Sequence, residues 1–391
     1  MQTSIPQHLS DLKQQGAYRL RKRLDSPQGI EVVVDGNPYL SFCSNDYLGL
    51  ANNKHVCHAA KEAISKFGLG SGASQHISGY SSVHASLEEQ LAEFLGYQRC
   101  VLFSSGYLAN LGVISALSSR HSLILEDKLN HASLIDAAKY AGAHLKRYQH
   151  RDSCHAKQII EKSQHSSKLI VSDGVFSMEG SVAPIDQLSQ LKQHTNDKLI
   201  IDDAHGIGVL GEQGKGCLEH LKIKPSKVDV LIGTFGKAFG VSGAFVLSDI
   251  DTIDYLIQKS RTLIYTTAPP ASLAAAAIQS LNIIINEPER RRRLHNNIQY
   301  FRHALTHSKL NLLDSVTPIQ TIVLGENQQA LKFSHQLEQR GILVLAIRPP
   351  TVPKGTARLR ITLSSEHSHQ QIDQLVNALL EIENDNKMTQ T

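Results

Sequence analysis

Hydrophobic and polar positions follow two regimes along the chain. From about residue 55 to residue 250, short apolar runs alternate with stretches in which apolar residues recur at helical spacing. The short runs predict strands at Cys100–Phe103, Leu123–Leu125, Leu169–Ser172, Leu199–Ile201, Val228–Ile232 and Ala244–Leu247. The periodic stretches predict helices that include Val83–Phe94 and Leu108–Leu117. Nearly continuous apolar strands separated by helices point to an α/β chain, with a largely parallel sheet covered on both faces.

Outside that region the pattern changes. The first 45 residues predict a helix over about 7–24, then a hairpin: Ile30–Val34, a turn at Asp35-Gly36-Asn37-Pro38, and Tyr39–Phe42. Ala268–Ile285 is rich in apolar residues but is interrupted by Pro269, Pro270, Ser272, Gln279, Ser280 and Asn282. It predicts a buried helix entered through two prolines, not a membrane span. Beyond about residue 290, strand patterns at Gln320–Leu324, Ile342–Ala346 and Leu359–Leu363 mix with helices near 328–340 and 368–384. The expected organisation has three parts: an N-terminal helix and hairpin segment (1–45), a large sheet-bearing domain (46–285) and a smaller C-terminal α+β domain (286–391).

Charge and cysteine usage narrow the class. Lys and Arg number 40 against 36 Asp and Glu, a net +4, too small a bias to argue for a nucleic-acid partner. Cys43, Cys57, Cys100, Cys154 and Cys217 are odd in number and form no CxxC pair. That argues against a disulfide framework and a structural zinc site, and for reduced thiols in the cytoplasm. The opening MQTSIPQHLSDLKQQ has no basic start followed by an apolar stretch, so no secretory signal is expected.

Candidate chemistry lies just past the predicted strands. Thr234-Phe235-Gly236-Lys237-Ala238-Phe239-Gly240 follows Val228–Ile232. A surface loop lysine is the ordinary reading, but a strand end also offers the partial desolvation that makes an amine nucleophilic. Leu199–Ile201 runs into Asp202-Asp203-Ala204-His205. An acid there can hold the ring nitrogen of a cofactor in its protonated state, or can simply cap a helix. A metal held by Asp202, Asp203 and His205 would lack a further ligand cluster. Gly106 and Tyr107 open a helix after Cys100–Phe103, where backbone N–H groups can bind phosphate. His131 follows Leu123–Leu125, and Ser177 follows Leu169–Ser172. Each cluster alone is ordinary. Five of them after successive strands of one sheet point to a single site.

The segment Asp202-Asp203-Ala204-His205-Gly206-Ile207-Gly208, followed by Gly233–Ala244, resembles the pyridoxal 5′-phosphate (PLP) dependent α-oxoamine synthases of fold type I. The likeness extends over Ser44–Leu50, Phe67–Gly79, Asp173–Gly180 and Ile347–Arg360. It implies a large domain with a mostly parallel seven-stranded sheet, a smaller C-terminal domain, and a homodimer with shared active sites. It implies that Lys237 holds PLP as a Schiff base, that Asp202 partners the pyridine nitrogen and that His131 stacks on the ring. His205 and Ser177 resemble groups around the phenolic oxygen. Gly106, Tyr107 and Thr234 resemble the phosphate cradle. Thr266 or Thr267 resembles a contact to a neighbouring subunit's phosphate. Arg360 resembles the arginine that holds an amino-acid carboxylate, and Arg21 and Thr351 resemble contacts to the acyl substrate. Gln75 stands where relatives often have Arg or Gly, and Ala238 replaces a frequent glycine; neither removes a group the reaction needs.

Ile347–Arg360 looks most like the biotin-pathway branch of that family. This implies L-alanine condensing with a pimeloyl thioester on an acyl carrier protein or coenzyme A. The sister reaction of 2-amino-3-ketobutyrate CoA ligase, which joins glycine to acetyl-CoA, is the alternative. A dinucleotide-binding oxidoreductase is disfavoured, because no strand leads into GxGxxG. Two basic runs remain. Arg19, Arg21, Lys22 and Arg23 fall in the expected first helix, and Arg290–Arg293 follow Glu287-Pro288-Glu289. They read as solvated helix faces or, for the second run, as a docking patch for an acidic carrier protein.

Overall fold

A computed structural model describes residues 4–388. The chain forms two compact units. The larger holds Leu50–Ser177 and Val182–Arg291; the other holds the chain through Gly49, Met178–Ser181 and the stretch from Arg292 onward.

The chain begins with the helix Ile5–Gln14, capped by the Ser4 hydroxyl. This is shorter than the periodicity predicts. Gly16 adopts φ +60°, the left-handed region, and takes the chain out of the helix. Arg19, Arg21, Lys22 and Arg23 therefore lie beyond any helix, which corrects the expected helical face. The hairpin forms where expected. β1 (Glu31–Val34) pairs antiparallel with β2 (Asn37–Ser41) around Asp35 and Gly36, both at positive φ. Two left-handed residues at the tip match the right-handed twist of the strands.

The larger unit is built on β3 (Arg99–Phe103), β4 (Leu123–Asp127), β5 (His144–Tyr148), β6 (Lys168–Asp173), β7 (Lys198–Asp202), β8 (Val230–Thr234) and β9 (Ala244–Ser248). Their order is β3-β9-β8-β7-β6-β4-β5. β9 runs antiparallel to both neighbours, and the other strands are mutually parallel. Apolar side chains from the sheet, including Val101, Ile124, Val171, Ile200 and Ile232, pack against Val113, Ile114, Leu134 and Ala138 of the covering helices. Each such buried Val, Leu or Ile side chain stabilises the fold by about 1.5–3 kcal/mol. β5, with sequence HLKRY, was not expected from the apolar pattern. It is an edge strand that needs only one buried face, and only Tyr148 is fully buried.

The smaller unit adds β10 (Asn311–Leu312), β11 (Ile319–Gly325), β12 (Ile342–Leu343), β13 (Leu345–Ile347) and β14 (Ala357–Thr362). An antiparallel sheet runs β10-β11-β14-β13, and β12 pairs in parallel with β2 of the hairpin. The single strand expected over Ile342–Ala346 is thus two short strands, because the chain passes at Val344 from one sheet to the other. The helices Asn327–Gln339 and His369–Met388 complete the unit. Among the described residues no helix is long and apolar enough to cross a membrane.

Candidate active site

β3, β4, β6, β7 and β8 are parallel, so their carboxyl ends share one edge of the sheet. The chain leaving that edge carries Gly106, His131, Ser177, His205 and Lys237. The helix Gly106–Leu117 begins three residues after β3, and the Ser105 hydroxyl accepts the Leu108 amide at 3.3 Å. The Gly106 and Tyr107 amides precede the first intrahelical bond and face outward from the helix start. A Cβ on Gly106 would lie 3.9 Å from the Thr234 Cβ, which brings this helix start to the end of β8. The Thr234 hydroxyl donates to the Gly243 carbonyl at 2.9 Å and accepts the Gly236 amide at 3.2 Å. These bonds shape the loop that carries the half-buried Lys237.

A hydrogen-bonded chain links Asp202 to His131. Asp202 ends β7 and is buried. One carboxylate oxygen accepts Asn110 Nδ2 at 2.7 Å; the other accepts the Ala204 amide at 3.1 Å. The Asn110 amide also donates to Ser133 Oγ at 2.8 Å, and that hydroxyl lies 2.7 Å from His131 Nδ1. The His131 backbone amide donates to Asp173 at 2.7 Å. Burial, reinforced by the Asp202 charge, pushes the Asp173 carboxyl well above the usual range. His131 keeps an exposed surface, yet the sheet edge behind it withdraws enough water to hold its imidazole below the ordinary value. Asp202 opposes that shift and Lys237 adds to it.

The two neighbouring aspartates divide their work. Asp203 is fully buried, and one of its oxygens accepts the Cys217 amide at 2.7 Å at the start of the helix Cys217–His220. Burial raises its carboxyl to about 7. A Cβ on Gly206 would come within 2.1 Å of Asp203, so this turn requires glycine. Asp203 thus holds a distant helix start through the Cys217 amide and caps no helix of its own, while Asp202 faces the polar network. His205 is buried and Ser177 half-buried at the same edge. Among the described residues no group of three or more His, Cys, Asp or Glu side chains is placed to hold a metal ion. Asn110 was not singled out from the sequence; an amide inside the apolar segment LANLGVI, one turn beyond Gly106, was the available signal.

Arg21, Thr351 and Arg360 belong to the smaller unit. Arg360 lies buried on β14 and donates to Asn45 Oδ1 at 3.1 Å, the same oxygen that receives the Tyr47 hydroxyl at 3.1 Å. Thr351 is bonded by Arg19, at 3.0 Å, while Arg21 is exposed. The second basic run divides as well. Arg290 pairs with Glu287 at 2.8 Å, and buried Arg291 donates to the carbonyls of Ile284 and Glu212. Only Arg292 and Arg293 are exposed, so the expected four-arginine patch is reduced to two.

The family described as aminotransferase class I and II matches residues 37–379. A protein of Methylococcus capsulatus named 8-amino-7-oxononanoate synthase is 49% identical over 371 residues, covering 95% of this chain and 96% of its own. A Hahella chejuensis protein of the same name is 47% identical over 375 residues, covering 96% and 95%. The chain belongs to the 8-amino-7-oxononanoate synthase family. Among solved structures, the Francisella tularensis family member superposes with a TM-score of 0.79 at 33% identity, over 90% of this chain and 99% of its own. A serine palmitoyltransferase solved with PLP as its internal aldimine superposes with a TM-score of 0.91 at 27% identity, over 97% and 96%.

The residues at the sheet edge suit PLP. A carboxylate has about four acceptor sites, and the two bonds to Asp202 leave room for a ring N–H. The paired amides of Gly106 and Tyr107 with the Thr234 hydroxyl offer a phosphate cradle. Ser104 Oγ, at the end of β3, is buried without a hydrogen-bond partner and provides a further donor there.

Proposed function

We propose that this PLP-dependent acyltransferase condenses L-alanine with a pimeloyl thioester, carried on an acyl carrier protein or coenzyme A. The products are 8-amino-7-oxononanoate, carbon dioxide and the free carrier, a step of biotin synthesis. The convergence of Lys237, Asp202 and His131 at one sheet edge, in a chain 49% identical to a protein of that name, carries this reading.

Bound PLP supplies an electron sink for the electrons at alanine Cα. The chain's own groups do the rest. Lys237 Nζ anchors the cofactor between turnovers and, once released, takes the proton from alanine Cα; a positioned base is worth ~10²–10⁴ in rate. Asp202 holds the proton on the ring nitrogen, with its oxygens fixed by Asn110 and Ala204. His131 offers its flat imidazole to the ring. Ser177 and His205 attend the phenolic oxygen, and Gly106, Tyr107 and Thr234 hold the phosphate. Arg360 clamps the alanine carboxylate through a two-pronged pair. Arg21 and Thr351 contact the acyl chain. The new bond joins alanine Cα to the acyl carbon as the carrier thiol leaves. The resulting β-keto acid loses its carboxylate as carbon dioxide, and Lys237 returns a proton to Cα.

The working form in this reading is a homodimer in the cytoplasm. All five cysteines are free thiols, which suits that compartment. The test is product formation. Purified enzyme supplied with L-alanine and pimeloyl-CoA should release 8-amino-7-oxononanoate and free thiol in equal amounts. Faster turnover of glycine with acetyl-CoA would assign the sister reaction instead.

A further inference from the structure

A second polar contact at the same sheet edge takes no part in the reaction as proposed. β5, β4 and β6 are neighbours and parallel, so the turns that follow them lie side by side within the larger unit. β4 ends on Asp127, which is fully buried. Its Oδ1 accepts the Leu129 amide at 2.8 Å and Nδ1 of His150 at 3.0 Å, and its Oδ2 accepts the Arg151 amide at 2.7 Å. The Asp127 carbonyl accepts the Asn130 amide at 3.2 Å. Asn130 then bonds to β6: its Nδ2 donates to the Val171 carbonyl at 2.9 Å, and its Oδ1 accepts the Asp173 amide at 3.1 Å. The turn from Asp127 to His131 is thereby held at its start by Asp127 and at its end by Asp173, which accepts the His131 amide.

His150 lies two residues past β5 and meets the third turn with its ring. Its centroid stands 4.4 Å from that of Phe176, with the two planes at 86°. Edge-to-face pairs of this kind hold a ring in one orientation. Phe176 is fully buried and directly precedes Ser177. One imidazole therefore donates to the carboxylate that shapes the His131 turn and packs on the residue beside Ser177. A buried carboxylate must be matched by donors, which space-filling alone would not supply. We propose that His150, together with Asp127, is a positioning residue that sets His131 and Ser177 against the cofactor. The inference rests on the roles proposed for His131 and Ser177, and it adds two residues to which that reading assigns none.

Two variants of the holoenzyme separate the two contacts. His150→Asn keeps an amide donor where Nδ1 stands but removes the ring, and so loosens Phe176 and Ser177. His150→Phe keeps a ring against Phe176 but cannot donate to Asp127, and so loosens the His131 turn. Each should lower kcat roughly tenfold, as a small misplacement of a catalytic-site group does, with KM for L-alanine and pimeloyl-CoA little changed.

The readout besides turnover is the pH midpoint of the lysine-linked absorption band. His150→Asn should move it in the same direction as Ser177→Ala, by roughly half a pH unit or more, the scale of one altered hydrogen bond. In a Ser177→Ala background it should move the midpoint no further. His150→Phe added to His131→Ala should likewise lower kcat far less than it does alone, because residues that act through one another do not add. An unmoved midpoint and kcat beside a lowered melting temperature would show a structural contact only and overturn the proposal. Losses that add in full in both double variants overturn it too. If Ser177→Ala by itself leaves the midpoint in place, the role proposed for Ser177 fails, and coupling to His131 in kcat still decides His150.

Discussion

At the scale of single residues, the site separates chemistry from support. Lys237→Ala should remove both the cofactor's lysine-linked absorption band and turnover. Asp202→Asn should keep the fold but lower kcat roughly 10²–10³-fold, the usual loss for one preorganised electrostatic group. Asn110 touches no reacting atom in this reading; it positions Asp202 and, through Ser133, His131. Asn110→Ala leaves a buried carboxylate oxygen without its donor. It should cost about 1–3 kcal/mol in stability and shift the pH profile of kcat, whereas a merely structural role would lower the melting temperature and leave that profile in place. Lys237, Asp202 and His131 stood out in the sequence because each lies at or just past the end of an apolar strand, where a polar cluster is conspicuous. Asn110 could not, because its partner is 92 positions away.

At the scale of elements, β4 and the start of the helix Pro288–Ala304 carry charges that local pattern does not explain. Glu126 lies in β4, fully buried, and neither carboxylate oxygen has a hydrogen-bond partner. Burial raises its carboxyl from 4.5 to about 7, against the pull of Arg147 and Lys139. The folded state therefore binds this proton more tightly than the unfolded chain does. Its contribution to stability is complete below about pH 4.5 and is lost as pH rises toward about 7, on the order of 3 kcal/mol in all. Glu126→Gln should flatten that loss in thermal unfolding measured from pH 5 to pH 8; an unchanged slope would show that Glu126 ionises alike in both states. Arg291 makes the complementary case. Arg291→Met strips donors from the buried Ile284 carbonyl and from the Glu212 carbonyl, and should cost about 2–4 kcal/mol. Arg292→Glu, at an exposed position, should change stability by less than about 0.5 kcal/mol. If this face docks an acidic carrier protein, Arg292→Glu raises KM for the carrier-bound substrate and not for the coenzyme A ester.

At the scale of the whole molecule, buried acids and buried histidines give pH slopes of opposite sign. His367 is held to about 4 by burial, with Nε2 on the Ser41 carbonyl at 3.0 Å and Nδ1 accepting the Ser364 amide at 2.9 Å. Its folded pKa is depressed, so its contribution is present above about pH 6.5 and lost as pH falls toward 4. Glu88 and Asp203, both raised to about 7, slope the same way as Glu126. The two sets oppose each other across mildly acidic pH. Removing one acid, as in Glu126→Gln, should move the pH of maximal thermal stability upward.

The sequence by itself determined the alternation of apolar strands with helices, the largely parallel class of the sheet and the family, because each rests on local periodicity and contiguous motifs. It also marked the polar clusters at the strand ends. Tertiary structure decided what depends on distant partners. Gly16 ended a helix whose polar periodicity ran on, and β5 became a strand only because an edge was open to it. Asp202 and Asp203, equivalent in sequence, took different roles when Asn110 met one and Cys217 the other. The Arg290–Arg293 run lost half its exposed charge because Arg291 serves the Ile284 and Glu212 carbonyls and Arg290 pairs with Glu287. Burial and hydrogen-bond partners are set by residues far apart in the chain, and the pattern of neighbours along the sequence does not encode them.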